Sequence, residues 1–233
     1  AMSKTVLITG ASRGIGLEFA RQYAEDGWQV HVGARSPENA AGLLRLAAEH
    51  RGRMQVHPLD VTDTRHITAL AAALAGTRID ILVNNAGVYG GDRQGFGQTD
   101  EAAWVECMRT NVIAPMKLME AFVGHLAAAG QAVVANLSSK MGSMADNGSG
   151  GAYLYRSSKA ALNAVVVSAA VDLVARGIIP VALHPGWVQT AMGGPQAEIP
   201  ASGSVARMRA ILAGLGPADA GRFIDIDGST IPW

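Results

Sequence analysis

A glycine-rich turn between a short apolar strand and a helix constrains this chain more than any other feature. Thr5-Val6-Leu7-Ile8 reads as a β-strand, Thr9-Gly10-Ala11-Ser12-Arg13-Gly14-Ile15-Gly16 as the turn, and the segment from Ile15 to Asp26 as a helix. Gly10 lets the chain turn sharply after the strand. Gly14 removes a side chain where a pyrophosphate has to approach, and Gly16 lets the helix pack close to the sheet. The helix N-terminus adds backbone N–H groups and the positive end of its dipole. The spacing G-x-x-x-G-x-G departs from the commoner G-x-G-x-x-G, but a strand before it and a helix after it are the context of a dinucleotide cradle. A tight βα turn without a ligand is the alternative.

The rest of the chain repeats that alternation. Strands are expected at Thr5–Thr9, Gln29–Ala34, Met54–Pro58, Ile79–Asn84, Ala132–Leu137, Ile179–His184 and Gly221–Ile224. Most are nearly continuous apolar runs, as for strands covered on both faces. Helical spacing is expected over Ile15–Asp26, Glu38–His50, Thr64–Ala75, Glu101–Ala128 and Ala152–Ala175. Alternating β and α with short connections predicts a single α/β domain over residues 1–233. Its fold is Rossmann-like and doubly wound, a seven-stranded, mostly parallel sheet flanked by helices, with no separate substrate domain. At 233 residues the chain is long enough to bury one large core.

Charge excludes several partners. Lys+Arg and Asp+Glu balance at 19 each, so nothing points to nucleic acid or an anionic membrane. No stretch is expected to span a bilayer. The N-terminus runs straight into the first strand, which leaves no room for a signal-peptide apolar region. Cys107, the one cysteine, has no internal disulfide partner and fits a reducing cytoplasm. No His/Cys/Asp/Glu pattern reads as a metal site.

At the cofactor end, the second strand closes with Ala34-Arg35-Ser36. A domain that holds a free adenosine ribose carries an acidic residue near here, and there is none. Arg35, with Arg13 in the glycine loop, suits a ribose 2′-phosphate, so NADP(H) is preferred over NAD(H); two solvated surface arginines are the alternative. Asp60-Val61 follows the third strand, where the carboxylate either accepts from an adenine amino group or caps the helix starting near Thr62. Asn84-Asn85-Ala86-Gly87 closes the fourth strand with small residues that let backbone lie against a ribose, or forms a plain turn.

At the opposite end, Tyr155 and Lys159 stand one helical turn apart on one face. A free Tyr, with a pKa near ~10, is a poor acid–base group at neutral pH. An ammonium beside it, with an oxidised nicotinamide's charge, stabilises the phenolate and makes a proton donor for a carbonyl. Tyr153 lacks such a partner, since Ser157 stands at its i+4. Ser138-Ser139 end the fifth strand at the ligand-binding edge, where a hydroxyl reaches a substrate oxygen or caps a turn. Asn111 lies mid-helix, a poor place for Asn, which points to function or to a kink.

These residues together resemble the short-chain dehydrogenase/reductase family, over essentially the whole chain and in family order. The resemblance implies a catalytic tetrad of Asn111, Ser139, Tyr155 and Lys159. Tyr155 is the acid, Lys159 lowers its pKa and holds the nicotinamide ribose, Ser139 polarises the carbonyl, and Asn111 positions a water. Ser139 is chosen over Ser138 because the family's serine stands three residues before a glycine, here Gly142. Cofactor contacts fall to Gly10, Ser12, Arg13, Gly14, Ile15, Gly16, Arg35, Asp60, Val61, Asn85, Ala86, Gly87, Tyr155 and Lys159. The Pro185-Gly186-Trp187-Val188-Gln189-Thr190 segment contributes Pro185, Gly186, Val188 and Thr190. A long Met141–Gly151 loop, LHPGWVQT and the Phe223–Trp233 ending most resemble the C-factor/sniffer-type carbonyl reductase branch. Ala191 stands where many of that branch carry Asp.

The substrate pocket is expected between the Tyr89–Gly97 loop, the Met141–Gly151 loop and the segment from Trp187 to about Ala201. Tyr89, Phe96, Met141, Met144, Trp187 and Met192 give it an apolar lining, which suits an aryl or alkyl ketone or aldehyde; the alternative is that they pack the loops themselves. The expected activity is an NADPH-dependent carbonyl reductase acting on a small molecule. The rivals are a non-catalytic nucleotide-sensing or signalling protein on the same fold and an NAD-dependent alcohol dehydrogenase. The helix around Ala160–Val174 is apolar nearly all round, which predicts a homodimer or homotetramer.

Overall fold

The structure, a computed structural model, describes residues 3–233. Seven strands make one sheet: β1 Thr5–Ile8, β2 Gln29–Ala34, β3 Met54–Pro58, β4 Ile81–Asn84, β5 Ala132–Leu137, β6 Ile178–Leu183 and β9 Phe223–Ile224. Their order is β3-β2-β1-β4-β5-β6-β9. Every pairing in it is parallel, with Val6 opposite Val30 on one side and Ile81 on the other. Strand order reverses at β1/β4, and that reversal opens a crevice at the carboxyl ends of the strands.

Side chains alternate across the sheet, so each strand feeds two cores. Val6, Val30, Val32 and Val181 pack with Phe19 of α1 (Gly14–Glu25), Leu43 of α2 (Ala41–Glu49) and Met208 of α7 (Ala201–Ala213). On the other face Leu7, Leu82 and Val134 pack with Ile67 of α3 (Thr64–Ala73) and with Leu118 and Phe122 of α5 (Ala114–Ala127). α6 (Tyr153–Leu173) lies along β6 and closes a smaller core through Leu162, Val166 and Phe223.

The segment expected as one helix over Glu101–Ala128 is instead α4 (Glu101–Met108), a π-helical turn at Arg109–Ile113, and α5. Pro115 explains the break. It has no N–H for the Asn111 carbonyl four residues back, and its ring crowds that carbonyl. Likewise Glu38–His50 is a 3₁₀ turn at Pro37–Asn39 followed by α2. α7 and a second, two-stranded sheet of β7 (Val188–Gln189) with β8 (Ile199–Pro200) were not foreseen.

The expectation that no stretch could span a bilayer needs correcting. Tyr153–Arg176 is long and apolar enough by length and composition alone, a test that the core helix of a globular domain also passes. Here α6 spends Leu154, Leu162, Val166 and Ala169 on the interior, each at most 5% exposed. Two of its valines, Val167 and Val171, face outward at 40% and 75% exposure.

Candidate active site

The glycine turn stands at the crevice. Gly10 has φ +64°, and a Cβ there would come within 2.8 Å of the Ala86 Cα, so only glycine lets β1 and the β4 loop approach this closely. Asn85 ties the two together, its side-chain amide donating to the Thr9 and Gly10 carbonyls at 3.0 Å each.

Gly10, Ser12, Arg13, Gly14 and Ile15 line one wall of a cleft of about 580 Å³. Arg35, Asp60 and Val61 close one end, and Asn85, Ala86 and Gly87 lie along its floor. Its other end reaches Tyr155, Lys159, Pro185 and Thr190. Three expected contacts lie elsewhere. Gly16 packs beneath the turn, where a Cβ would sit 2.5 Å from both the Asn85 amide nitrogen and the Gly10 carbonyl. Gly186 and Val188 line the adjoining cavity instead.

Arg13 and Arg35 are exposed and form no ion pair within 4.0 Å among the described residues. Asp60 is partly committed: its Oδ1 accepts from the Thr62 N–H at 2.9 Å and the Thr62 hydroxyl at 2.7 Å. Burial pushes its carboxyl up, but those bonds and the Arg35 charge outweigh it and hold the pKa below the usual range. The cap of α3 is Asp63, whose side chain accepts from the Arg65 N–H. A strand-end cleft with a glycine cradle, a helix N-terminus and two uncommitted guanidiniums fits a phosphorylated dinucleotide.

Tyr155 lines both this cleft and a second, apolar cavity of about 480 Å³. Its backbone N–H donates to Gln94 Oε1 at 2.9 Å, and Gln94 Nε2 is anchored on the Tyr89 and Gly91 carbonyls at 2.8 Å each. Gln94 thus secures the start of α6 from 61 residues away, a cap that local spacing does not reveal. Lys159 Nζ donates to the Leu137 carbonyl at 2.8 Å and lies 5.6 Å from the Tyr155 ring centroid. Burial pushes the phenol up to about 12, against the pull of the Ser139 hydroxyl, and pushes the Lys159 ammonium down to about 8. Desolvation of the phenolate is the largest cause and sets Tyr155 above the ordinary tyrosine value; the expected lowering drew on a nicotinamide's positive charge as well as on Lys159.

The two serines differ in what their hydroxyls do. Both line the apolar cavity, but Ser138 Oγ is occupied in donating to Asn163 Oδ1 at 2.7 Å, whereas Ser139 Oγ accepts from the Met141 N–H at 3.1 Å. Gly142 lets this turn lie on α6, since a Cβ would meet the Lys159 carbonyl carbon at 2.8 Å. Asn111 in the π turn is buried. Its Nδ2 donates to the Val88 carbonyl at 2.8 Å and Ser158 Oγ at 2.9 Å, and its Oδ1 accepts from the Val88 N–H at 2.9 Å. Asn111 thus pins the Val88 strand-end loop to α6.

Tyr89, Met141, Trp187 and Met192 line the apolar cavity with Ser139 and Tyr155. The Tyr89 ring tilts against Tyr155 with centroids 4.9 Å apart. Met144 and Phe96 do not belong to it, at 72% and 91% exposure. The Met144 stretch is drawn outward, where the Ala145 N–H donates to the Trp233 carbonyl at 2.8 Å. Phe96 lies beside Tyr153 at 6.4 Å, on the far side of the α6 start. His184, unforeseen, completes the lining.

Residues 4–199 match the family model described as short chain dehydrogenase. C-signal of Myxococcus xanthus is 43% identical over 165 residues, covering 71% of this chain and 99% of that protein. The NADPH-bound carbonyl reductase from chicken fatty liver is 34% identical with a TM-score of 0.92, and the alignment covers all of both chains. The carbonyl reductase Sniffer of D. melanogaster aligns over all of both chains at 29% identity and a TM-score of 0.92. The chain belongs to the short-chain dehydrogenase family.

Proposed function

We propose that this member of the short-chain dehydrogenase family is a carbonyl reductase that uses NADPH to reduce an uncharged, largely apolar ketone or aldehyde. One observation carries the reading: the Tyr155 phenol stands in the wall shared by the dinucleotide-shaped cleft and the apolar cavity. Neighbours crystallised with NADPH support the cofactor assignment, as do the two uncommitted arginines of the cleft.

When bound, NADPH supplies a hydride, two electrons and one proton, to the carbonyl carbon. The glycine turn and the α1 N-terminus would hold its pyrophosphate, and Arg13 and Arg35 would take the 2′-phosphate. Ser139 donates to the carbonyl oxygen and orients it. Tyr155, held protonated at neutral pH by its raised pKa, gives its proton to that oxygen as negative charge develops there. Lys159 then lies close enough to stabilise the phenolate until it is reprotonated from solvent. The alcohol forms as one C–H and one O–H bond are made. The apolar Met141, Trp187 and Met192 side chains offer a substrate charge no partner, which disfavours keto acids.

Kinship with a protein named C-signal supports a second reading, a signalling role on the same fold. A panel of aryl and alkyl ketones, aldehydes and α-keto acids, with NADPH and loss of its absorbance as readout, separates the two. Turnover of the uncharged members above the keto acids is the expected result. No turnover across the panel with NADPH still bound favours the signalling reading.

A further inference from the structure

His184 follows the last residue of β6, half-buried, where it lines the apolar cavity beside Ser139 and Tyr155. Its Nδ1 accepts the Lys140 backbone N–H at 3.1 Å. A backbone N–H only donates, so Nδ1 carries no proton and the neutral ring carries its one proton on Nε2. Nε2 has no hydrogen-bond partner among the described residues. It is also absent from the buried, partnerless side-chain atoms, which are Asn84 Oδ1, His125 Nδ1, Asn163 Nδ2 and Arg209 Nε. The N–H is therefore presented to open space rather than to protein.

The ring is also fixed. Lys140 donates to it through the backbone and holds Asp225 through its ammonium at 2.8 Å, with the Asp225 side chain only 14% exposed. Turning the ring over would forfeit the Lys140 bond. Asp225 and Lys140 are the charged groups that act on it, pulling in opposite directions, and burial keeps the imidazole below the ordinary histidine range. Elsewhere in the cavity the Trp187 indole N–H is taken by the Gly193 carbonyl at 2.8 Å. His184 thus offers a free, oriented donor beside Met141, Trp187 and Met192.

We propose that His184 is a specificity-determining residue, whose Nε2–H donates to a second hydrogen-bond acceptor on the substrate beyond the reacting carbonyl. Ser139, Tyr155 and His184 line one cavity, so a substrate whose carbonyl meets Ser139 and Tyr155 would bring a neighbouring acceptor to His184. A β-keto ester carries such an acceptor beside its ketone; a plain aryl alkyl ketone of equal length lacks it. A site built around such a donor discriminates against a ligand that leaves it unpaired. The inference rests on the carbonyl-reductase reading above.

The test has two arms. In the first, kcat/KM is measured for an aryl β-keto ester and for the length-matched aryl alkyl ketone, in the wild type, His184→Phe and His184→Asn. The wild type should favour the keto ester. His184→Phe should lower the keto-ester to ketone ratio about tenfold, one hydrogen bond's worth. His184→Asn, which keeps an acceptor for Lys140 and a donor for the cavity, should restore much of it. Equal losses on both substrates, or an unchanged ratio, overturn the proposal in favour of a purely structural histidine. In the second arm, long-range ¹H–¹⁵N spectra of the chain with NADP⁺, in which ketone is not reduced, report the ring directly. The expected result is an Nε2–H tautomer whose resonance moves on adding the β-keto ester and not the plain ketone. An Nδ1–H tautomer, or indifference to the keto ester, overturns the proposal even in a chain that reduces no ketone.

Discussion

Removing the Arg35 guanidinium should strip much of the preference for a phosphorylated cofactor while sparing the unphosphorylated one. Arg35 follows β2 at the mouth of the cleft, exposed and without an ion pair. A hydrogen bond to a charged group contributes ~1.5–3 kcal/mol, and exposure to water argues for the lower end. About 1.5 kcal/mol is roughly a tenfold factor, so Arg35→Ala should lower kcat/KM with NADPH about tenfold and with NADH by less than about twofold. Arg13→Ala should act in the same sense. Arg13 precedes α1 in an extended conformation, and its side chain makes no cap bond, so the helix start survives its loss. If both arginines grip one phosphate, the double variant falls short of the product of the singles. The assay is initial-rate kinetics with both cofactors in all four proteins. Equal use of NADH and NADPH by the wild type, or a parallel fall for both cofactors in Arg35→Ala, refutes the reasoning.

Two further outcomes follow from the packing. We propose a two-fold dimer through the outward apolar faces of α4, the π turn and α6, where Val105, Ile113 and Val171 are 53%, 51% and 75% exposed. Light scattering at micromolar concentration should give twice the 24.1 kDa chain mass, with Val171→Arg halving it or precipitating the protein; a monomeric wild type refutes this. His31 Nδ1 lies 3.0 Å from His57 Nε2 on neighbouring strands, and burial, then the partner's charge, holds His31 down to about 4. A base whose folded pKa lies below its unfolded value near ~6.5 stabilises the fold above that value and loses the stabilisation as pH falls toward about 4. The loss is on the order of 3 kcal/mol, so urea midpoints of the wild type should fall from pH 7 to pH 4 more steeply than those of His31→Phe. Parallel pH profiles contradict it.

The sheet was legible because its strands are short, apolar on both faces and punctuated by glycines, a pattern that period and turn chemistry both read. Strand β2 and β5 match their expected bounds to the residue, and the glycine turn lies where its spacing puts it. Features that depend on distant partners were not legible. The Glu101–Ala128 segment was read as one helix, with a kink at Asn111 only as an alternative, because one proline's effect on the Asn111 carbonyl hides inside good helical spacing. α7 escaped because its opening Ala201-Ser202-Gly203-Ser204 is weak helix sequence; packing on α1 holds it, with Gln22 donating to the Ser202 carbonyl at 3.0 Å. Gln94 and His184 are single polar residues in loops, and only the tertiary structure brings them to Tyr155. Met144 and Phe96 were misjudged because apolar character in a loop does not say which side of the loop meets the cavity.

The central claim is that Tyr155 protonates a carbonyl as NADPH reduces it, and the direct measurement is single-turnover NADPH oxidation by wild type and Tyr155→Phe with one good ketone. The variant keeps the ring against Tyr89 and removes only the hydroxyl. General acid catalysis contributes roughly 10²–10⁴-fold, so the rate should fall by at least that factor while the NADPH dissociation constant, read by nicotinamide fluorescence, changes by less than about threefold, well under 1 kcal/mol. A variant that turns over within a few-fold of the wild type contradicts the account.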